Sequence, residues 1–239
     1  MGGEMKIIVF GASGKMGKLI CKELVGVGHN VFEVDKLLSV KDLENVDERA
    51  DLLIDFSVKS ESLKVLRYCE KNKIKLIMGT TGQGEFFMNQ LKLSSKFIPI
   101  IKCDNFSENI LKFRKIVAAF SKNFNGEIAV IETHHKYKAD MPSGTSRVLI
   151  SDIINQDNNK TTTSTCATMF DEECVNSYSI RGGTIFGRHE IHFFDDDEEI
   201  VISHSAYSKK PFIRGLMRAV EFMKQDLKAG IYNFEDLTT

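Results

Sequence analysis

Lys6-Ile-Ile-Val-Phe10 runs directly into Gly11-Ala-Ser-Gly14-Lys-Met-Gly17, and the reading of that junction decides the fold. The apolar run reads as a strand buried on both faces. Met16, Leu19, Ile20 and Leu24 then recur at helical spacing, and Gly26 and Gly28 close the helix. Outward from it, Val31 to Val34, Leu52 to Phe56, Leu76 to Met78 and Phe97 to Ile101 read as further strands, with helices over Ser60 to Lys71 and Glu85 to Ser95. Strands alternating with helices predict repeated βαβ units and a doubly wound, Rossmann-like parallel sheet.

Around Glu127 the rhythm changes. Ile128 to Thr133, Thr162 to Met169, Tyr178 to Ile180, Glu190 to Phe194 and Ile200 to Ser205 are strand-like, with a single helix from Ser143 to about Ile154 among them. Gln156 to Lys160 breaks that helix. A closing helix from about Ile213 to Lys228 carries Leu216, Val220, Met223 and Leu227 at regular spacing. The pattern predicts an α/β chain of two domains: 1–106 with 213–239, and a central α+β domain over 107–212, the chain crossing near Ser107 and Phe212.

The glycine loop opens a helix directly after a strand, where bare amides and the positive helix end suit a pyrophosphate. A side chain on those glycines would hold phosphates away from the backbone. Gly11, Ala12, Ser13, Gly14, Lys15, Met16 and Gly17 are therefore candidate cofactor contacts. Their spacing departs from G-x-G-x-x-G, and a plain strand-to-helix turn is the bland alternative. Asp35, near the end of the second strand, can accept from the ribose hydroxyls of NADH, and Lys36 can contact the 2′-phosphate of NADPH. Gly79, Thr80 and Thr81 follow the fourth strand, and Cys103, Asp104, Asn105 and Phe106 the fifth, at the carboxyl edge where such sheets bind ligands.

Glu132-Thr-His134-His135-Lys-Tyr-Lys138-Ala-Asp140-Met-Pro142-Ser143-Gly144-Thr145 gathers proton donors and anion binders between a strand and a helix. Strand alternation puts Glu132 and His134 on one face, so Glu132 can orient His134. Pro142 delays the helix to about Ser143, and Ser143, Gly144 and Thr145 together offer amides and two hydroxyls for a substrate carboxylate. Ser143 as a plain N-cap is the competing reading. No third metal ligand stands at a local metal-site spacing, so no metal is expected.

The 239 residues carry a net charge of −1, which gives no global field for nucleic acid, and no apolar run approaches the roughly 18 residues of a membrane span. Five scattered cysteines, Cys21, Cys69, Cys103, Cys166 and Cys174, read as reduced thiols of a cytoplasmic protein. Met1 to Glu4 are set aside from the fold reading.

Glu132, His134, Lys138, Asp140 and Pro142 to Thr145 stand at the spacing of the 4-hydroxy-tetrahydrodipicolinate (dihydrodipicolinate) reductase family signature, and the chain resembles that family. Asp55-Phe-Ser57, Gly79-Thr-Thr-Gly82, Asn105-Phe-Ser107 and Arg181-Gly-Gly-Thr-Ile-Phe-Gly187-Arg-His189 also look like family motifs in family order. Two departures stand out: Ser146 replaces alanine, and Glu108-Asn109 replaces an apolar-glycine pair. The resemblance implies NADH- or NADPH-dependent reduction of a small cyclic dicarboxylate in lysine and diaminopimelate biosynthesis. It implies His134 and Lys138 as the acid-base pair, His135 as a substrate contact and Gly144 and Thr145 at a carboxylate, in a homotetramer assembled through the central domains. The resemblance also implies that the C-terminal helix completes the N-terminal sheet domain. The alternatives are a catalytically silent nicotinamide sensor and another amino-acid or sugar dehydrogenase on this scaffold.

Overall fold

A computed structural model describes residues 3–35, 50–156, 161–162 and 174–237. The chain separates into two compact units, 1–106 with 212–239 and 107–211.

In the first unit, strands β1 (Lys6–Phe10), β2 (Asn30–Val34), β3 (Leu52–Asp55), β4 (Lys75–Met78), β5 (Pro99–Lys102) and β11 (Gly230–Tyr232) form one sheet in the order β11-β5-β4-β3-β1-β2. All neighbours are parallel. Ile7 to Phe10 and Leu52 to Asp55 are fully buried, as a sheet covered on both faces requires. Helices α1 (Gly17–Gly26), α2 (Ser62–Asn72) and α3 (Glu85–Ser94) connect the strands. Lys73, in the left-handed region at φ 59°, ends α2. The strand order reverses at β1, so the loops after β1 and β3 both open at the switch point where doubly wound sheets take ligands.

The C-terminal segment gives this unit more than a helix. Helix α6 (Lys210–Met223) stops short of the expected Lys228, and Lys75 Nζ donates to the free carbonyls of Met223 and Gln225 at 2.7 and 2.8 Å. The chain then adds β11 alongside β5, a strand of three residues too short to show a period.

In the second unit β6 (Glu127–His134) is central to a mixed sheet with β7 (Thr161–Thr162), β8 (Cys174–Arg181), β9 (Gly187–Asp195) and β10 (Glu198–Ala206), ordered β10-β9-β6-β8-β7. Beyond Thr162, the strand expected to reach Met169 lies outside the described residues, as does Cys166. Two helices pack on one face: α5 (Gly144–Ile154), the helix expected among the strands, and α4 (Glu108–Ser121), which precedes them. Ser107 caps α4 by accepting from the Ile110 amide at 3.4 Å, and Glu108 then sits in the first turn, where a negative charge suits the helix dipole. Phe113 and Val117 of α4 pack with Leu149, Ile150 and Ile153 of α5 on Ile128, Val130, Ile191 and Phe193. Arg114 joins the helices through both Asp152 oxygens, at 2.7 and 3.0 Å.

Candidate active site

Steric demands on glycine build the candidate cofactor site of the first unit. Gly11 has φ +87°, and a Cβ there would meet the Phe56 carbonyl oxygen at 2.7 Å; one on Gly17 would meet the Gly11 carbonyl oxygen at 2.2 Å. Both are backbone contacts that no rotamer relieves. The Gly11 amide donates to the Val34 carbonyl at 2.8 Å, bringing the loop to the end of β2 just before half-buried Asp35. Helix α1 begins at Gly17 without a side-chain cap, which leaves its N-terminal end suited to phosphate. A Cβ on Gly79 would enter the Phe56 ring at 2.3 Å, and Phe56 also packs against Phe106 at 5.9 Å. Asp55 ties two loops together: its side chain accepts from the Ser57 amide at 2.9 Å, and its carbonyl accepts from the Gly79 and Thr80 amides at 2.9 and 3.2 Å. The expected segments after β1, β3, β4 and β5 thus share one sheet edge, and this close-packed backbone cradle fits a dinucleotide. Ser13, Gly14, Lys15 and Thr81 are exposed there, Met16 and Asn105 half-buried. Lys102 pairs with Asp104, and the Cys103 thiol donates to the Asn105 carbonyl at 3.1 Å. Lys36 lies outside the described residues.

In the second unit the candidate loop is organised around a buried carboxylate. Glu132 is inaccessible to solvent. Its oxygens accept from the Ser143 amide at 3.0 Å, the Ser146 hydroxyl at 2.6 Å, the Ser179 hydroxyl at 2.7 Å and Arg181 NH2 at 2.8 Å. Burial alone would raise its pKa, but the hydrogen bonds from Ser143, Ser146, Arg181 and Ser179 together lower it to about 2. A buried anion without such partners costs several kcal/mol, so each donor is part of the site. Ser146, the departure from alanine, is one of them.

Ser143, expected at a substrate carboxylate, is 2 % exposed. Its amide serves Glu132, and its hydroxyl accepts from the Ser146 amide at 3.2 Å and lies 3.3 Å from His189 Nε2. It is the N-cap of α5. Gly144, exposed, and Thr145, half-buried, remain at the helix mouth.

His134 follows at the end of β6, with Nδ1 3.6 Å from Glu132, close but beyond a hydrogen bond. Burial lowers its pKa, Glu132 opposes that, and the charges of Lys138 and Arg181 reinforce it, leaving the value at about 4. Sequence alone suggests the ordinary value near 6.5; in this structure His134 is neutral at pH 7. Lys138 Nζ pairs with Asp140 at 2.7 Å. Half-buried His135 accepts the Lys138 amide on its carbonyl at 3.1 Å.

Arg181 and His189 are the residues that sequence reading left without a role. Arg181 reaches the Lys138 carbonyl at 3.2 Å and the Asp140 carbonyl at 2.6 Å as well as Glu132, so one guanidinium fastens the loop to the buried anion. The adjoining Gly182 amide donates to the His134 carbonyl at 3.0 Å. The only signal for Arg181 was its place in the Arg181-Gly-Gly motif. His189, 4 % exposed, meets His134 edge to face with ring centres 5.2 Å apart. The fold therefore assembles Glu132, His134 and His189 with potential ligand atoms within 4.8 Å of one another, a grouping that local spacing does not reveal. Glu132 is already taken by the Arg181 guanidinium, so the donor set suits a hydrogen-bonded anion better than a metal ion.

A doubly wound unit with a glycine cradle, joined to a mixed-sheet unit bearing a His-Lys loop, defines an NAD(P)H-dependent oxidoreductase. Residues 5–106 match the family model described as dihydrodipicolinate reductase, N-terminus, and residues 109–238 match dihydrodipicolinate reductase, C-terminus. The chain belongs to the dihydrodipicolinate reductase family. It is 35 % identical to the 4-hydroxy-tetrahydrodipicolinate reductase of Caldanaerobacter subterraneus subsp. tengcongensis, with 98 % of each chain covered. It is 32 % identical to that of Alkaliphilus oremlandii, again with 98 % of each covered. In structure it is similar to the dipicolinate-bound dihydrodipicolinate reductase from Paenisporosarcina sp. TG-14, with a TM-score of 0.75, 18 % identity and coverage of 97 % of this chain and 98 % of that one. No helix among the described residues is long and apolar enough to cross a membrane.

Proposed function

We propose that the chain reduces 4-hydroxy-tetrahydrodipicolinate to tetrahydrodipicolinate with NADH or NADPH, a step of lysine and diaminopimelate biosynthesis, with His134 and Lys138 handling the proton. The observation that carries this reading is the loop from His134 to Thr145, fastened by Glu132 and Arg181 so that a neutral imidazole, an ammonium and a helix N-terminus are fixed together. The reduced nicotinamide, when bound, supplies the hydride.

Each residue then has a role. Lys138 supplies positive charge and the proton, and His134, neutral at pH 7, acts as the base of the pair that accepts or relays a proton. His135 contacts the substrate, while Gly144 and Thr145 at the mouth of α5 hold a carboxylate. Arg181 acts through Glu132 and the loop carbonyls as a positioning residue. Gly11 to Gly17, Asp35, Lys36, Gly79 to Thr81 and Cys103 to Phe106 serve the cofactor. Residues 1–106 and 213–239 form the cofactor domain and 107–212 the substrate and self-association domain.

The sheet face of the second unit away from α4 and α5 exposes Tyr178, Ile180, Phe194 and Val201, which favours assembly into a homotetramer. None of the four described cysteines is in a disulfide, which suits a cytoplasmic enzyme. The test is to add freshly made 4-hydroxy-tetrahydrodipicolinate to enzyme with NADH or NADPH and follow nicotinamide absorbance. Oxidation in proportion to added substrate is expected; nucleotide binding without oxidation would favour the sensing alternative.

A further inference from the structure

Among the described glycines of the first unit, the one with least room lies outside the cofactor cradle. A Cβ on Gly215, within α6, would meet the Phe106 carbonyl oxygen at 1.8 Å and the tip of the Phe234 ring at 2.8 Å. The helix backbone therefore lies directly against the last residue of the Cys103 to Phe106 stretch. Phe234 sits beside that contact; it opens the short 3-10 helix Phe234–Leu237 just after β11 and is almost wholly buried.

From Phe234 the contacts continue ring by ring to the cradle. Phe234 meets Phe106 edge to face with ring centres 5.2 Å apart, and Phe106 meets Phe56 at 5.9 Å, separations at which aromatic pairs attract. Phe56 lies against Gly79, where an added Cβ would come within 2.3 to 2.7 Å of three ring atoms. Glycine has no side chain to adjust, so the position of the Phe56 ring sets that of the Gly79 backbone, and close-packed interiors transmit such displacements. The Phe56 backbone is held separately: its amide donates to the Phe10 carbonyl at 3.0 Å, and the following Ser57 amide donates to Asp55 at 2.9 Å. A shifted ring thus moves the Gly79 side of Phe56 and leaves the Gly11 side in place.

Sheet order decides which half of a dinucleotide this line of contacts supports. Asp35 follows β2 on one side of β1, whereas Gly79 to Thr81 and Cys103 to Phe106 follow β4 and β5 on the other. A dinucleotide crosses the switch point with its pyrophosphate at the first glycine loop. With adenosine on the Asp35 side, the nicotinamide half falls to the loops after β4 and β5. We propose that Phe234 is a positioning residue for the nicotinamide half, acting through Phe106 and Phe56 on the loop at Gly79. The inference rests on reading those two loops as contacts of that half. The C-terminal turn, distant in sequence from every expected cofactor contact, then sets how firmly the nicotinamide is held.

The test compares two ligands on the full chain: NADH, followed by nucleotide fluorescence, and ADP, followed by calorimetry, which carries adenosine and diphosphate without the nicotinamide half. NADH affinity should fall about tenfold or more in Phe234→Ala and by less in Phe234→Leu, which leaves a smaller void. ADP affinity should stay at the wild-type value in both. Phe234→Leu carries the test should Phe234→Ala fail to fold. A lower melting temperature with unchanged NADH affinity in a folded variant would make Phe234 a core residue only and overturn the proposal, as would equal losses for NADH and ADP. Gly79→Ala separates this proposal from the reading beneath it. If Gly79→Ala weakens NADH but not ADP while the Phe234 variants bind both normally, only the role of Phe234 fails. If Gly79→Ala leaves NADH affinity unchanged, the assignment of the loops fails as well.

Discussion

The two units solve their binding problems in opposite ways. The glycine loop of the first unit works by what is missing: Gly11, Gly17 and Gly79 leave space that a Cβ would fill at 2.7, 2.2 and 2.3 Å from its neighbours. The loop of the second unit works by what is present, a fully buried carboxylate holding donors from β8, α5 and the chain just before α5. Backbone recognition has few titratable parts, whereas a side-chain network depends on every charge. Damage to the first should therefore appear in nucleotide affinity, and damage to the second in turnover, stability and pH response.

The largest effect should follow from removing the groups proposed to handle the proton. His134→Ala and Lys138→Ala are each expected to lower kcat by about a hundredfold to ten-thousandfold, while nucleotide affinity measured by fluorescence changes little. His135→Ala should chiefly raise KM. Similar losses of nucleotide affinity in these variants would erase the contrast between the units.

Next in size is the cost of stranding the buried anion. Arg181→Ala leaves Glu132 without its counter-charge and should destabilise the fold by about 3–5 kcal/mol, read from denaturant unfolding. A change below 1 kcal/mol would show that the serines alone satisfy the carboxylate.

Acid should act on this unit in a defined direction. Folded His134 and His189 titrate at about 4, below the unfolded value near 6.5, so the unfolded chain takes up protons first and stability falls as pH drops from about 6.5 to 4. Glu132, at about 2 when folded, adds a further loss between about 4.5 and 2. Melting temperatures taken from pH 7 to pH 3 should decline throughout; a flat profile from 7 to 4 would contradict the buried neutral histidines.

Smaller effects belong to the first unit. Gly79→Ala should weaken nucleotide binding at least about tenfold, or 1.4 kcal/mol, and leave binding of a planar dicarboxylate such as pyridine-2,6-dicarboxylate unchanged. Smallest is the choice of cofactor. Asp35 suits an unphosphorylated ribose and Lys36 a phosphate, so kcat/KM for NADH and NADPH should differ by no more than about a hundredfold, roughly 3 kcal/mol.

The same contrast explains what was legible in the sequence. The parallel sheet could be read because each buried strand is a continuous apolar run, and the glycine loop because its parts are neighbours in sequence. That Gly79 must be glycine could not, since the ring it abuts belongs to Phe56 on another loop. Alternation placed Glu132 beside His134, but Ser179, Arg181 and His189 lie more than 40 residues away and reach the site only through the register of β8 and β9 with β6. Helix α4 escaped reading even though Ile110, Phe113 and Val117 fall on one buried face, because the stretch was read only as a crossing between domains. Ser143 offered a hydroxyl at a helix start; in the structure it caps α5 while its amide donates to Glu132.

The central claim is that cofactor binding and proton handling are separable, one resting on backbone and the other on the Glu132-anchored loop. Its most direct test is a single turnover of Lys138→Ala with nucleotide already bound, followed by nicotinamide absorbance after addition of 4-hydroxy-tetrahydrodipicolinate. The account predicts wild-type nucleotide affinity with oxidation slowed at least about a hundredfold. Oxidation at the wild-type rate, or loss of nucleotide affinity equal to the loss of rate, would contradict it.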